Sequence, residues 1–388
     1  MKSGKFGYGL GLALLIPTAG AHAQRSETVL YSFTGQADGS NPFSGLIEDK
    51  AGNFYGTTVE GGTAGVGAVY KLAPNGTETV LASLTAADGT YPEGGVIMDK
   101  KGNFYGTTSS GGASGFGTVY EVAPNGTVTV LHSFSGHPDG KGPGAGLIMD
   151  KKGKLYGTTV FGGATNEGAV FEIATDGTEK VRYSFNVTDG AFPAGGLTTD
   201  ASGNFYGTTQ QGGSTACGGA GCGEVFKLVT SSKPWTVTVL HAFTGADGVF
   251  PEDSLVIYPS GNLYGTTEAD GAGGNGTVFK VTSAGVATVL WAFTGADGAQ
   301  PYAGVIIDKK GNIFGTTMLG GANNYGTVYE VTATGKEKVL YSFNSDTNGT
   351  DGFEPYAGVI EDKSGNLYGT TYGGGADAAG AVFKINRN

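Results

Sequence analysis

The segment Asp49-Lys50-Ala51-Gly52-Asn53-Phe54-Tyr55-Gly56-Thr57-Thr58 decides the fold. Its first half is turn chemistry, because Asp, Gly and Asn suit tight backbone. Its second half is strand chemistry, because Phe, Tyr and Thr suit a pleated, half-buried surface. The closing string Tyr-Gly-Thr-Thr returns at Tyr105, Tyr156, Tyr206 and Tyr264, as Phe-Gly-Thr-Thr at Phe314, and again at Tyr368. The seven copies are spaced by 50, 51, 50, 58, 50 and 54 residues. Upstream of the first copy lie an Asp38-Gly39-x-x-Pro42 loop and a short apolar run, Gly45-Leu46-Ile47. Downstream come a Gly-rich loop, the run Ala68-Val69-Tyr70-Lys71-Leu72, the turn Pro74-Asn75-Gly76 and the run Thr79-Val80-Leu81. Each unit thus holds four short strand-like runs, two pairs of them joined by turns suited to hairpins.

A period near 50 with four strands is the size of a propeller blade. A helical solenoid of that period would carry long runs of ~3.6-residue periodicity, and none is present. The fourth run, of the type Val-Leu-Tyr-Ser-Phe, has its first copy at 29–33, ahead of the first unit, and the last unit ends at Ala381-Val382-Phe383-Lys384-Ile385 without one. The expectation is an all-β, seven-bladed β-propeller with four antiparallel strands per blade. The N-terminal strand joins the last blade and closes the ring, which removes free edges. The repeats run from about residue 38 to 385.

Composition agrees with this reading. Gly accounts for 74 of 388 residues with no collagen-like period, and 21 Phe and 19 Tyr are enough for packed cores. Residues 1–23 have the features of a secretory signal: Lys2 and Lys5, an apolar stretch over 8–16, and Ala21-His22-Ala23 as a cleavage site. The apolar stretch is too short to span a bilayer. Export to the periplasm or medium follows as an expectation, with residues 24–388 as the mature propeller. The net charge of −11 becomes about −13 once Lys2 and Lys5 are removed, which disfavours nucleic acid and anionic membranes as partners. The two cysteines, Cys217 and Cys222, stand in CGGAGC and are expected to pair in an oxidising compartment.

The unit Gly-Asn-Phe-Tyr-Gly-Thr-Thr followed by Gly-Gly and then Gly-Thr-Val-Tyr-Glu-Val resembles the GloVer tandem-repeat family of exported bacterial proteins. Many members of that family resemble surface proteins with C-terminal sorting tails, a pattern from which this sequence departs, ending at Phe383-Lys384-Ile385-Asn386-Arg387-Asn388. The Asp-x-x-Gly-Asn-x-Tyr hairpin also resembles that of NHL-type propellers. That likeness implies that the Gly-Leu-Ile strand is innermost and the Val-Leu-Tyr-Ser-Phe strand outermost. The family resemblance implies no reaction.

Features present in every unit are read first as structural. Asp38, Asp88, Asp139, Asp189, Asp247, Asp297 and Asp351 each belong to an inter-blade loop and are expected to shape turns. The alternative is a ring of carboxylates that would bind Ca²⁺. Positions where the units differ are better site candidates. The residue after the loop Pro is Phe43, Glu93, Gly144, Ala194, Glu252, Tyr302 and Tyr356 in turn, and should lie at the channel mouth. Glu93 and Glu252 are three blades apart and should face each other. The fifth unit adds Asp253, Glu268 and Asp270. Such carboxylates suit acid–base chemistry on a sugar, and Tyr302, Tyr356 and Tyr372 suit stacking on sugar rings. The competing reading is a solvated rim with no ligand.

Of the mature chain's histidines, His132 and His241 occupy an outer-strand slot held elsewhere by Tyr31, Tyr183, Trp291 and Tyr341, and are expected to be packing variants. A Ser-His-Asp triad, a His-rich metal site and a phosphate loop are all without support in the sequence. Three functions remain open: an exported binding module for glycans or an extracellular protein, a carbohydrate-active hydrolase or lyase using the pore acids, and a structural interaction scaffold.

Overall fold

The computed structural model describes residues 25–345 and 351–387. It is a seven-bladed β-propeller. From the channel outwards, blade 1 consists of Ile47–Glu48, Phe54–Thr58, Ala68–Leu72 and Glu78–Ser83, all antiparallel neighbours. Blades 2 to 6 repeat this order. In blade 7 the inner three strands are Ile360–Glu361, Leu367–Thr371 and Ala381–Ile385, and the outer one is Glu27–Ser32 from the chain start, with Glu27 opposite Ile385 and Ser32 opposite Ala381. The leader expected over 1–23 lies outside the described residues.

The invariant glycine of the Tyr-Gly-Thr-Thr strand is explained by packing across the hairpin. A Cβ on Gly56 would stand 2.6 Å from the Tyr70 hydroxyl, and one on Gly157 would stand 2.6 Å from Cζ of Phe171. The third strand lays its aromatic ring directly over the second strand's backbone, and only glycine leaves room. That ring in turn meets an outer-strand phenylalanine of the preceding blade edge-on. Examples are Phe33 on Tyr70 at 4.9 Å and Phe185 on Phe226 at 5.0 Å. The core therefore lies in the seams between blades rather than within them. Each such phenylalanine is wholly buried. Burying one contributes roughly 1.5–3 kcal/mol, with about 1 kcal/mol more from the aromatic geometry.

The first threonine of each motif closes the ring near the axis. Its Oγ1 donates to a backbone carbonyl in the loop entering the next blade: Thr107 to Ala145, Thr158 to Gly195, Thr266 to Ala303, Thr316 to Ala357. Thr57 donates to Pro92 and Thr208 to Asp253. Thr370 donates to Ser44, so blade 7 joins blade 1 by the same bond.

The loop aspartates have the turn role. Asp38 accepts from the Thr34 amide at 2.8 Å and from the Tyr31 hydroxyl at 2.9 Å. Tyr183, Trp291 and Tyr341 donate in the same way to Asp189, Asp297 and Asp351. These carboxylates sit beside the outer strands, each bonded within its own loop, and do not converge on the channel. His132 and His241 pack edge-on against Phe134 at 4.7 Å and Phe243 at 4.9 Å. They also face Asp139 and Asp247 at 3.2 and 2.7 Å, a partnership that their reading as packing variants missed. Among the described residues no helix is long and apolar enough to cross a membrane.

Candidate functional site

The loops entering the blades meet over the axis and enclose a cavity of about 440 Å³. Because the seam bond uses a backbone carbonyl in each of these loops, the residue after the loop proline is left to project into the channel mouth. Phe43, Glu93, Gly144, Ala194, Glu252, Tyr302 and Tyr356 all line the cavity, and with them Gln210 and Asp253.

One arc of the mouth is aromatic. Phe43 stacks on Tyr356 with ring centres 4.7 Å apart, and Tyr302 meets Tyr356 edge-on at 5.5 Å. Tyr372 packs on the same ring at 5.3 Å, behind the lining. The carboxyls stand at the two ends of that arc, Glu252 in blade 5 beside Tyr302 and Glu93 in blade 2 beside Phe43, with Gly144 and Ala194 completing the ring. Burial pushes the Glu252 carboxyl up to about 7; the Gln210 amide, donating at 2.8 Å, and the Tyr302 hydroxyl oppose the rise, and neighbouring Glu268 adds to it. Burial also raises Glu268. The charge of each carboxyl disfavours ionisation of the other, and for Glu252 this adds to burial. Glu93 is likewise raised by burial, against a hydrogen bond from Ser109. Tyr302 is pushed well above its ordinary value by burial and then by the charge of Glu252, so its hydroxyl stays a donor.

Of the eight sequence candidates, Glu93, Glu252, Asp253, Tyr302 and Tyr356 line the cavity directly. Glu268 and Tyr372 support them from behind. Asp253 is committed to structure: its Oδ2 accepts the Gly304 amide at 2.6 Å and its Oδ1 the Ser254 amide. Asp270 is elsewhere. It is exposed, with φ of 58°, at the loop position where Gly61, Gly111 and Gly162 stand in other blades. Aspartate tolerates that left-handed backbone better than most residues, so the turn accounts for it. Outside the candidates, Phe43 and Gln210 add a ring and an amide to the lining. Phe43 belonged to the tabulated slot but is apolar, and Gln210 follows its Thr-Thr pair where the other blades carry unrelated residues. Cys217 and Cys222 are disulfide-bonded and pin the Gly-rich loop of blade 4, away from the cavity.

The sequence matches the Gloeobacter/Verrucomicrobia repeat over residues 19–221 and again over 214–383. The chain belongs to that repeat family. No curated protein matches it in sequence. Solved structures of similar shape include the extracellular domain of a candidate one-component system from B. thetaiotaomicron, with a TM-score of 0.57 and 10% identity over 93% of this chain. The match covers 40% of that protein's chain. A candidate 6-phosphogluconolactonase from Bacteroides uniformis gives a TM-score of 0.53 and 15% identity over 81% of this chain and 88% of its own. At such identities the likeness is one of fold, and the repeat family's channel residues must be judged on their own chemistry.

Proposed function

We propose that the protein is an exported binding module that takes a carbohydrate or similar polyol in the channel mouth. The supporting observation is a stacked aromatic arc flanked by hydrogen-bonding carboxyls around one cavity. Sugars present apolar C–H faces to rings and hydroxyls that both donate and accept. The raised Glu252 carboxyl and the Gln210 amide offer both roles. Export is inferred from the leader-like residues 1–23 and agrees with the disulfide. The test is a glycan screen followed by Tyr356→Ala and Glu252→Gln. Each is expected to weaken binding at least about tenfold, since a good aromatic or charged contact is worth about 1.5 kcal/mol or more. Unchanged affinity in both folded variants would remove the site from the channel.

A second reading rests on one feature. A glutamate held near 7 beside a second carboxyl is poised to donate a proton, as a glycoside-cleaving enzyme requires. Release of reducing ends from a bound glycan, lost in Glu252→Gln, would favour hydrolysis; binding without product would favour the module.

A further inference from the structure

We propose that the seam between blades 2 and 3 holds a divalent transition-metal site formed by His132, Asp139 and Glu179. His132 ends the outer strand Val128–Ser133 of blade 2, Asp139 lies in the loop joining the blades, and Glu179 begins the outer strand Glu179–Ser184 of blade 3. One nitrogen or oxygen atom from each lies within 4.8 Å of the other two. His132 Nε2 and Asp139 Oδ2 are already 3.2 Å apart. That is close to the ligand–ligand edge of about 3.4 Å that ~2.1 Å bonds and tetrahedral angles require. Small movement of the Glu179 side chain would complete a three-ligand face.

Three further features suit this seam to an ion. Glu179 Oε1 is shielded from solvent and has no hydrogen-bond partner, so the carboxylate already bears the cost of desolvation without a compensating contact. Asp139 is aimed by the amide and hydroxyl of Ser135, and the imidazole is held edge-on by Phe134. Partners of this kind are what fix ligands in metal sites. His132 and Asp139 remain 21% and 15% exposed, which leaves a path for the ion and a side for water.

The propeller supplies its own controls. At three other seams the same positions hold Tyr31, Asp38 and Glu78; Trp291, Asp297 and Glu337; and Tyr341, Asp351 and Glu27. There a hydroxyl or indole N–H donates to the aspartate, and no imidazole nitrogen is available. The seam between blades 4 and 5 has His241 and Asp247 but Ala287 where blade 3 has Glu179. Among the described residues, only the seam between blades 2 and 3 brings an imidazole and two carboxylates together. One nitrogen and two oxygens suit Zn²⁺, Co²⁺ or Mn²⁺ better than Ca²⁺, which prefers six or more oxygens.

The experiment is titration of the tag-free, metal-stripped protein with Co²⁺ and Zn²⁺, followed by calorimetry and by the visible Co²⁺ spectrum. The expected result is one ion per chain, with no comparable response to Ca²⁺. His132→Tyr installs the residue found at Tyr31 and Tyr183 and should fold while losing the site. Ala287→Glu should create a second site at His241 and Asp247 and raise the stoichiometry to two. Absence of binding by the unaltered protein overturns the proposal, and so does binding that His132→Tyr leaves unchanged.

Discussion

In the loop that enters each blade, the residue after the proline and the backbone just beyond it meet different demands. The backbone carbonyl two residues after the proline accepts the threonine of the previous blade in six of seven seams; in the seventh, Pro92 itself accepts. The side chain between them projects over the channel and ranges from Gly144 to Tyr302. The seam is joined through main chain, which any residue supplies, so the neighbouring side chain is released from folding. A ring built this way can vary its mouth without altering its joints. The aromatic arc and its flanking carboxyls occupy those freed positions, whereas the Thr, Gly and buried Phe positions are held by packing.

Five changes test this division. Deleting Glu27–Ser32 attacks a joint at its most exposed point and should have the largest effect. It uncovers the edge of Ala381–Ile385, and the expected outcome is loss of the cooperative melt and early elution on gel filtration. A truncated protein that melts and elutes like the intact one would refute the closure described here. Gly157→Ala forces a Cβ to 2.6 Å from Phe171 and 3.0 Å from Leu147. It should cost about 1–3 kcal/mol in denaturant unfolding, the usual penalty of overpacking.

Protonation gives the third. Glu224 is 0% exposed, and neither of its carboxyl oxygens has a partner. It stands where Thr118 and Thr277 hydrogen-bond in blades 2 and 5. Burial, with Asp189 nearby, pushes it up to about 8, and Glu27 and Glu337 are likewise raised to about 8. A carboxyl raised on folding keeps its proton in the native state after the unfolded chain has lost it. Its contribution is complete below the ordinary value of 4.5 and is lost as pH climbs to about 8. Thermal stability should therefore fall across that window, and Glu224→Gln should flatten part of the fall, with its greatest advantage above pH 8. A melting temperature that rises over the same range would contradict this assignment. Thr316→Val should lose about 1 kcal/mol, for a hydrogen bond whose acceptor, the Ala357 carbonyl, is left buried. Tyr356→Ala, one residue away on the mouth side, should cost less than Thr316→Val if the mouth is free of folding duty. A larger cost would break the comparison.

The ring was legible in the sequence because its signals recur. Seven turn–strand motifs in one frame give the blade count, and the misplaced first copy at 29–33 gives the closure, observed as Glu27–Ser32. The channel slot was legible for the same reason, since an aligned repeat exposes a column that varies. Two kinds of feature were not. The threonine seam joins residues about 40 apart through a carbonyl, and a carbonyl leaves no mark in the sequence. The triplet of His132, Asp139 and Glu179 spans two units, so comparing repeats column by column separates the very residues that the seam brings together. Asp270 shows the opposite error: acidity in a divergent blade suggested chemistry, while the local φ of 58° asked only for a residue that tolerates a left-handed turn.

The shared seventh blade also sets an order of events. Every other outer strand finds its partner within its own unit, across a turn of a few residues. Glu27–Ser32 must wait for Ala381–Ile385, at the far end of the chain. Joining ends that distant, rather than one repeat apart, adds about 2 kcal/mol of loop-closure entropy. The strand synthesised first is therefore the last to be paired, and until it docks the arc of blades carries an open edge at each end. Non-local closure of this kind slows folding far more than it weakens the finished ring.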